Sequence, residues 1–244
     1  VGGGRLDEFE GRVDVARLKR LKPDLVVTQQ LCNVCAASHP EVLEAIRSLP
    51  HRPKAVAVDA RRFEELFTSI DTLGRAIGRA RQASALRQRL RREVEAIQRR
   101  VQQARTAPRV WCAEWLDPLM SAGHWIPEMV AMAGGRDTFG RPGEDSARVE
   151  WADVRRADPE VILVMPCSFT VARSVKEFPL LRARPGWERL SAVRAGRVFA
   201  VQTGFFHRPG PRLVAGLRLM ASVFHPDLFP APPAASAKRL VAVR

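Results

Sequence analysis

The chain has 244 residues, 46% hydrophobic and 27% charged, so it can bury the core of one large or two smaller globular domains. Its formal charge of +14 is high, but no recognisable nucleic-acid-binding module and no tyrosine accompany that charge, which argues against nucleic acid as the main partner. No run of 18 apolar residues occurs, so the sequence contains no candidate transmembrane helix, and no signal peptide is recognisable.

The first part of the chain alternates short helices and strands. The hydrophobic pattern predicts helices over residues 13–21, 40–49 and 61–73, and strands over 24–28 and 54–58. Such an alternation is typical of a mostly parallel sheet covered by helices.

One long amphipathic helix is predicted over residues 81–105. Its apolar side chains recur at steps of three and four, the spacing of a single buried stripe: Ala83, Leu86, Leu90, Val94, Ile97, Val101 and Ala104. About 25 residues at about 1.5 Å each extend over about 37 Å, comparable to the width of a small domain. We therefore expect a backbone helix that joins two lobes, with a lone coiled-coil segment as the alternative.

After this helix the alternation resumes. The predicted elements are strands over 109–115, 161–165 and 197–202 and helices from 128, over 151–156, from 169 and over 213–223. The Pro- and Ala-rich tail from His225 is expected on the surface. The chain is thus predicted to be an α/β protein with an N-terminal lobe (1–80), the backbone helix (81–105) and a C-terminal lobe (106–244).

Four segments directly follow predicted strands: QQLCNVC, EWLDPLMSAGHW, PCSF and TGFFHR. In parallel sheets, ligands bind beyond the carboxyl ends of the strands. The first segment belongs to the N-terminal lobe and the other three to the C-terminal lobe. We therefore expect the ligand cleft between the lobes.

These segments supply the candidate ligand-binding residues, which are Gln30, Cys32, Cys35, Trp115, Asp117, His124, Trp125, Cys167, Phe205, Phe206 and Arg208. Flat aromatic side chains suit a broad, mostly apolar ligand, and arginine suits its anionic groups. The alternative is that half of the aromatic residues belong to the core. With all these loops at one cleft, replacing Trp125 by alanine should weaken ligand binding without unfolding the protein.

The cysteines leave several interpretations open. Cys32 and Cys35 form a C-x2-C pair, which is compatible with a disulfide, free thiols, ligand-facing thiols or a metal centre, but zinc sites of this type normally have a second pair. His124 is either a metal ligand or a loop residue bonded to the backbone. No catalytic residue is assigned, since Glu114 and Asp117 have no accompanying nucleophile.

Over residues 13–224 the sequence resembles the substrate-binding proteins of ABC importers for vitamin B12 and iron-siderophore complexes, the periplasmic binding proteins with a helical backbone. The similarity in order and spacing is carried by LKRLKPDLVVTQ, the long helix, WADVRRADPEVILV and GRVFAVQTGFFHRPGPRLVAGLRLMA. The runs CNVCAAS and EWLDPLMSAGHWIPEMVAMAGG resemble a branch labelled cobalamin-binding protein.

The resemblance implies a solute-binding protein rather than an enzyme, with no required cofactor. Its ligand would be a cobalamin-like or other metal-chelate complex, its partner an ABC permease in the membrane, and its location the periplasm or the cell surface. The family carries one acidic docking residue on each lobe; here Glu41 or Glu44 fills the first position and the second falls at His207. Relative to the family, the first lobe is short of its opening strand–helix unit.

Two other functions remain open from the residues alone. One is a cytoplasmic thiol- or metal-binding protein on the same scaffold, with Cys32, Cys35 and His124 as candidate ligands. The other is a basic interaction module, which predicts salt-sensitive binding to DNA or anionic lipid.

Overall fold

A computed structural model describes residues 13–29 and 39–241 of the chain. The fold is mixed α/β, and the chain divides into two compact units. The N-terminal unit comprises the chain up to Ala60 and Glu64–Arg87, and the C-terminal unit comprises Arg61–Phe63 and the chain from Gln88. The boundary between Arg87 and Gln88 lies inside one long helix.

The N-terminal unit contains α1 (Val15–Leu21), β1 (Leu25–Thr28), α2 (His39–Arg47), β2 (Lys54–Ala57) and α3 (Glu65–Ala76). The strands β1 and β2 pair in parallel from Leu25 opposite Lys54 to Thr28 opposite Ala57. A carboxylate oxygen of Asp14 accepts a hydrogen bond from the amide of Arg17 at 2.8 Å and so caps the start of α1.

The long helix α4 covers Ala80–Val101, 22 residues that extend about 33 Å. Its buried stripe consists of Ala83, Leu90, Val94 and Ile97. Gly74 has a steric role, because a Cβ atom at this position would collide with the methyl group of Ala83. The predicted end at 105 is four residues too late; residues 102 and 103 form a turn after the helix, with Ala104 N bonded to Val101 O at 2.8 Å.

The C-terminal unit is built on a seven-stranded sheet in which β6, β4, β3, β7, β8 and β9 are successive neighbours and β5 also pairs with β3. Its strands are β3 (Arg109–Leu116), β4 (Leu119–Ser121), β5 (Arg136–Asp137), β6 (Ala147–Arg148), β7 (Val161–Val164), β8 (Val198–Val201) and β9 (Ala237–Arg239). The central strands β3, β7 and β8 run parallel, whereas β4, β6 and β9 are antiparallel to their neighbours.

The helices of this unit are α5 (Ile126–Met132), α6 (Trp151–Ala157), α7 (Val171–Glu177), α8 (Pro179–Arg182), α9 (Ser191–Arg194) and α10 (Arg212–Phe224). One hydrophobic cluster joins Trp111 of β3, Ile162 and Val164 of β7, Leu181 of α8 and Val198 of β8. Every residue of β7 is buried, as expected for a central strand covered on both faces.

Two sequence predictions are corrected. The loop after β3 contains β4, which folds back antiparallel to β3, and the tail from His225 is not simply a surface segment. In the tail, β9 pairs with β8, His225 and Phe229 are buried, and Leu240 packs against the hydrophobic cluster. Strands of three residues are too short to produce a recognisable alternation of apolar and polar side chains. None of the helices in the described ranges is long and apolar enough to cross a membrane.

The packing of α4 can be tested by replacing Ile97, which is 1% exposed, with alanine. We expect a loss of about 2 to 5 kcal/mol in the free energy of unfolding, because the change leaves a cavity in a close-packed interior. Urea denaturation followed by circular dichroism measures it. The exposed neighbour Gln98 is the control, and Gln98→Ala should change stability by less than about 0.5 kcal/mol. Equal effects of the two substitutions would contradict the assignment of the buried stripe.

Candidate functional site

The candidate site lies at the carboxyl edge of the sheet in the C-terminal unit. The strands β3, β7 and β8 are parallel neighbours, so the segments that follow them emerge at the same edge. We call three segments at this edge the strand-end loops: the last residues of β3 together with Asp117 (114–117), residues 165–170 after β7, and residues 202–208 after β8. They contain three of the four aromatic residues predicted for the ligand site and one of the three predicted thiols.

A buried ion pair connects the three strand-end loops. The Nδ1 atom of His207 lies 3.1 Å from Oε1 of Glu114, and the two side chains are only 9% and 17% exposed. The Nε2 atom of His207 lies 2.6 Å from the carbonyl oxygen of Met165. A carbonyl oxygen only accepts hydrogen bonds, so Nε2 donates to it, and Nδ1 donates to the carboxylate. With Glu114 ionised, this arrangement places a proton on both ring nitrogens of His207, which is then a cation.

The pKa values of the two groups agree with that assignment. Burial alone favours the neutral form of His207, but the hydrogen bond and charge of Glu114 outweigh it and raise the pKa of the imidazole above its ordinary value. Burial likewise opposes the carboxylate of Glu114, yet its contacts with His207, a hydrogen bond from Ser146 and the charge of His124 lower its pKa. Each group therefore stabilises the charged form of the other.

Three further hydrogen bonds fix the same loops. The hydroxyl of Thr203 donates to the carbonyl oxygen of Phe169 at 2.5 Å, and the amide of Cys167 donates to the carbonyl oxygen of Glu114 at 3.2 Å. The indole Nε1 of Trp125, just before α5, donates to the carbonyl oxygen of Phe206 at 2.6 Å. The backbone of each loop is thus held by a partner from another element.

Two aromatic rings and an arginine are in contact at the same edge of the sheet. Trp115 is half-buried and meets Phe169 edge to face, with ring centroids 5.5 Å apart. The guanidinium of Arg173 in α7 stacks over the ring of Phe169, 3.8 Å from its centroid. We call these three side chains the aromatic–arginine platform. Beside it, the exposed Asp117 pairs with Arg184 at 3.1 Å.

Cys167 and His124 each interact electrostatically with one member of the Glu114–His207 pair. Cys167 is half-buried, and its electrostatic interaction with His207 places it beside the buried pair. His124 is 18% exposed, with Nε2 3.2 Å from a carboxylate oxygen of Asp145 but without hydrogen-bond alignment. His124 and Ser168 both adopt left-handed backbone conformations, with φ of 54° and 64°, which are uncommon outside glycine and recur at functional sites.

No group of three or more His, Cys, Asp or Glu residues within the described part of the chain is arranged to hold a metal ion. Cys112 belongs to the core of β3, where burial raises the pKa of its thiol well above the ordinary value.

Several predicted site residues lie in the core instead. Phe206 is fully buried, Trp125 is 5% exposed, and the hydrogen bond between them connects two packed elements. Replacing Trp125 by alanine is therefore expected to destabilise the fold, whereas the sequence pattern predicted weaker ligand binding without unfolding. His207 is also buried and engaged, whereas docking on a transporter requires an exposed side chain.

The remaining candidates are placed as follows. Phe205 is half-buried and Arg208 exposed, both on the loop that follows β8, while Glu41 and Glu44 are exposed on α2. The other three, Gln30, Cys32 and Cys35, lie outside the described residues, and their roles stay predictions.

Four contributors to this edge escaped the sequence reasoning: Glu114 as the partner of His207, and Phe169, Thr203 and Arg173. Phe169 and Thr203 stand within the runs PCSF and TGFFHR, so their positions after strands were a usable signal. By contrast, the contact of Glu114 in β3 with His207 after β8 could not be predicted, because a contact between distant residues produces no periodic pattern in the sequence.

A cavity of about 420 Å³ lies in a different part of the C-terminal unit. Its lining consists of Phe139, Ala147, Arg148, Val149, Asp153, Arg156 and Ala157, and it includes none of the predicted site residues.

Comparison with known proteins finds related sequences and related structures. The sequence pattern described as periplasmic binding protein matches residues 10–203. An uncharacterized ABC transporter substrate-binding lipoprotein, YvrC of Bacillus subtilis (strain 168), is 26% identical over 226 residues, which are 89% of this chain and 67% of the relative.

Two solved structures show the same fold. A periplasmic heme binding protein from Pseudomonas aeruginosa superposes with a TM-score of 0.75 at 20% identity, over 96% of this chain and 82% of the other. The periplasmic vitamin B12 binding protein BtuF of Vibrio cholerae superposes with a TM-score of 0.67 at 18% identity, over 88% and 78% of the two chains.

The Glu114–His207 pair predicts a specific pH dependence. The lowered pKa of Glu114 makes its contribution to stability present above the ordinary glutamate pKa and lost as the pH falls through the folded-state value. The raised pKa of His207 makes its contribution complete below the ordinary histidine pKa and lost as the pH rises through the folded-state value. The coupling between the two should therefore be largest between about pH 4.3 and about pH 6.5.

A double-mutant cycle with Glu114→Gln and His207→Gln measures this coupling by urea denaturation at several pH values. Either single substitution should cost about 3 kcal/mol or more near pH 6, because it leaves the other group buried without its counter-charge. His225, whose pKa is lowered chiefly by burial, also makes stability pH-dependent, but its contribution cancels in the cycle. A coupling energy that is zero near pH 6, or that grows at alkaline pH, would contradict the ion pair.

Proposed function

Since the chain belongs to the periplasmic binding protein family, and is therefore a solute-binding protein of ABC importers rather than an enzyme, we propose that it captures a cobalamin-like or other metal-chelate ligand and delivers it to a membrane permease. The aromatic–arginine platform at the strand-end loops is proposed as one wall of the ligand site. Action outside the cytoplasm, at the membrane that holds the permease, is part of the proposal.

The observation that carries the proposal is the platform itself. Half-buried Trp115 offers flat apolar surface, and exposed Arg173 adds a positive charge, while the buried ring of Phe169 supports both side chains. A macrocycle or chelate with flat apolar faces and peripheral carboxylate or phosphate groups matches this combination, because aromatic rings give a large contact area at small entropic cost. The two structural relatives, a periplasmic heme binding protein and a periplasmic vitamin B12 binding protein, support the same ligand class.

The support beneath the platform suits a binding function. The Glu114–His207 pair and the Thr203–Phe169 hydrogen bond fix the backbone on which the platform residues stand. A preformed surface loses little conformational freedom when a ligand binds, which leaves more of the contact energy for affinity. No proton transfer or covalent step is needed from any of these groups.

Ligand identity is tested by titration with a panel of cobalamins, haem and ferric siderophores. We expect one class to give a saturable change in its absorption spectrum and a calorimetric binding signal. The absence of both signals with all three classes would contradict the proposed ligand class.

The platform is tested with Trp115→Ala. Loss of this aromatic contact should weaken binding of the responding ligand by roughly 1 to 3 kcal/mol, about 5- to 150-fold in the dissociation constant. Trp151 is the matched control, because it is also half-buried but stacks on Trp187 outside the strand-end loops. Trp151→Ala should leave the affinity within about twofold. Equal losses of affinity in the two variants, or no loss in Trp115→Ala, would show that the platform is not part of the ligand site.

A further inference from the structure

A concentrated positive surface lies on the part of α4 within the C-terminal unit, an element that carries none of the residues proposed for ligand binding. Arg89, Arg92, Arg99 and Arg100 are all exposed. At about 100° per residue, the four arginines fall within a sector of about 100° and extend over about 16 Å along the helix. They occupy the solvent side of α4, because the opposite side carries the buried stripe of Leu90, Val94 and Ile97.

The neighbouring helix α10 extends this surface. Arg218 is 57% exposed and lies 4.0 Å from Glu93 of α4. The second carboxylate of the region, Glu95, pairs with Arg99 at 3.8 Å, and both side chains are more than half exposed. Ion pairs as exposed as these are weak, so they do not neutralise the surface. Five arginines against two glutamates leave a local excess of positive charge, which we call the arginine surface.

The composition of the arginine surface limits its partner. The large hydrophobic side chains exposed in the described ranges are Leu21, Val27, Ile77 and Leu180, and none of them belongs to α4 or α10. Without an exposed apolar or aromatic group, the surface has nothing to insert into a bilayer and nothing to stack on nucleotide bases. A group of arginines on one side of a helix can instead face a plane of phosphate groups, where each cation near an anionic membrane adds to the attraction.

We propose that the arginine surface binds the anionic phospholipid headgroups of the membrane that holds the permease. This inference rests on the proposed function for the location of the protein, since solute delivery takes place at that membrane. Contact with headgroups alone is reversible and sensitive to salt, because charges separated by more than about 10 Å are screened at about 0.1 M ionic strength. It confines the protein to the membrane surface, where it meets its permease more often.

Sedimentation with lipid vesicles tests the proposal. The probe is phosphatidylcholine vesicles with about 30% phosphatidylglycerol, compared with phosphatidylcholine alone. The protein should bind the anionic vesicles at low salt and be released when the salt is raised. The triple variant Arg89→Gln, Arg92→Gln, Arg99→Gln should lower the partition coefficient about tenfold or more, while glutamine keeps nearly the same helix propensity.

A matched variant separates this surface from the high net charge of the whole chain. Arg141, Arg155 and Arg189 are exposed in the same unit, and replacing all three by glutamine removes the same amount of charge. This control should change vesicle binding by no more than about twofold. Equal losses in both triple variants would overturn the proposal, because attraction by net charge would then explain the binding.

A fluorescent DNA duplex tests the competing class of partner. If the arginine-surface variant loses binding to the duplex but keeps binding to anionic vesicles, the surface is one for nucleic acid and the proposal is wrong. Titration of the metal-chelate panel with both variants distinguishes the two proposals. If the unaltered protein binds its ligand but the arginine-surface variant shows no selective loss of vesicle binding, only this inference is overturned. If the unaltered protein gives no ligand response, the proposed function is overturned.

Discussion

The buried pair of Glu114 and His207 is the interaction on which the candidate site depends. Its two charges are separated by 3.1 Å in an environment that excludes most water, where either charge alone would be costly. The imidazole also bonds to the carbonyl oxygen of Met165, so one side chain holds the ends of β3, β7 and β8 together. Loops from three strands thereby occupy defined positions, although neither local sequence nor helix propensity specifies them.

The aromatic–arginine platform follows from that constraint. The backbone carbonyl of Phe169 accepts a hydrogen bond from Thr203, while its ring contacts Trp115 and Arg173. The hydrogen bond therefore fixes the backbone at the centre of the platform. Trp125 and Phe206 contribute as packed core residues rather than as ligand contacts. A fixed polar network that supports half-buried Trp115 and exposed Arg173 suits a binding protein, because it supplies contact area without mobile reactive groups.

Much of the architecture could be predicted because helices and central strands produce recognisable patterns of apolar residues in the sequence. The stripe through Leu90, Val94 and Ile97 identifies α4, and the continuous apolar run Val161–Val164 identifies a central strand. The short strands β4 and β9 could not be found in this way, since three residues carry no measurable period. The strand-end rule predicted which segments meet at one edge of the sheet, but it did not separate half-buried Trp115 from buried Phe206, because that distinction depends on packing between distant segments.

The central claim is that the three strand-end loops together form one wall of the ligand site. Amide hydrogen exchange with and without the ligand that responds in titration tests it most directly. The account predicts that residues 114–117, 165–170 and 202–208 become protected together, while the segments around Arg148 and Arg156, which line the separate cavity, do not change. Protection around that cavity with unchanged strand-end loops would contradict the account.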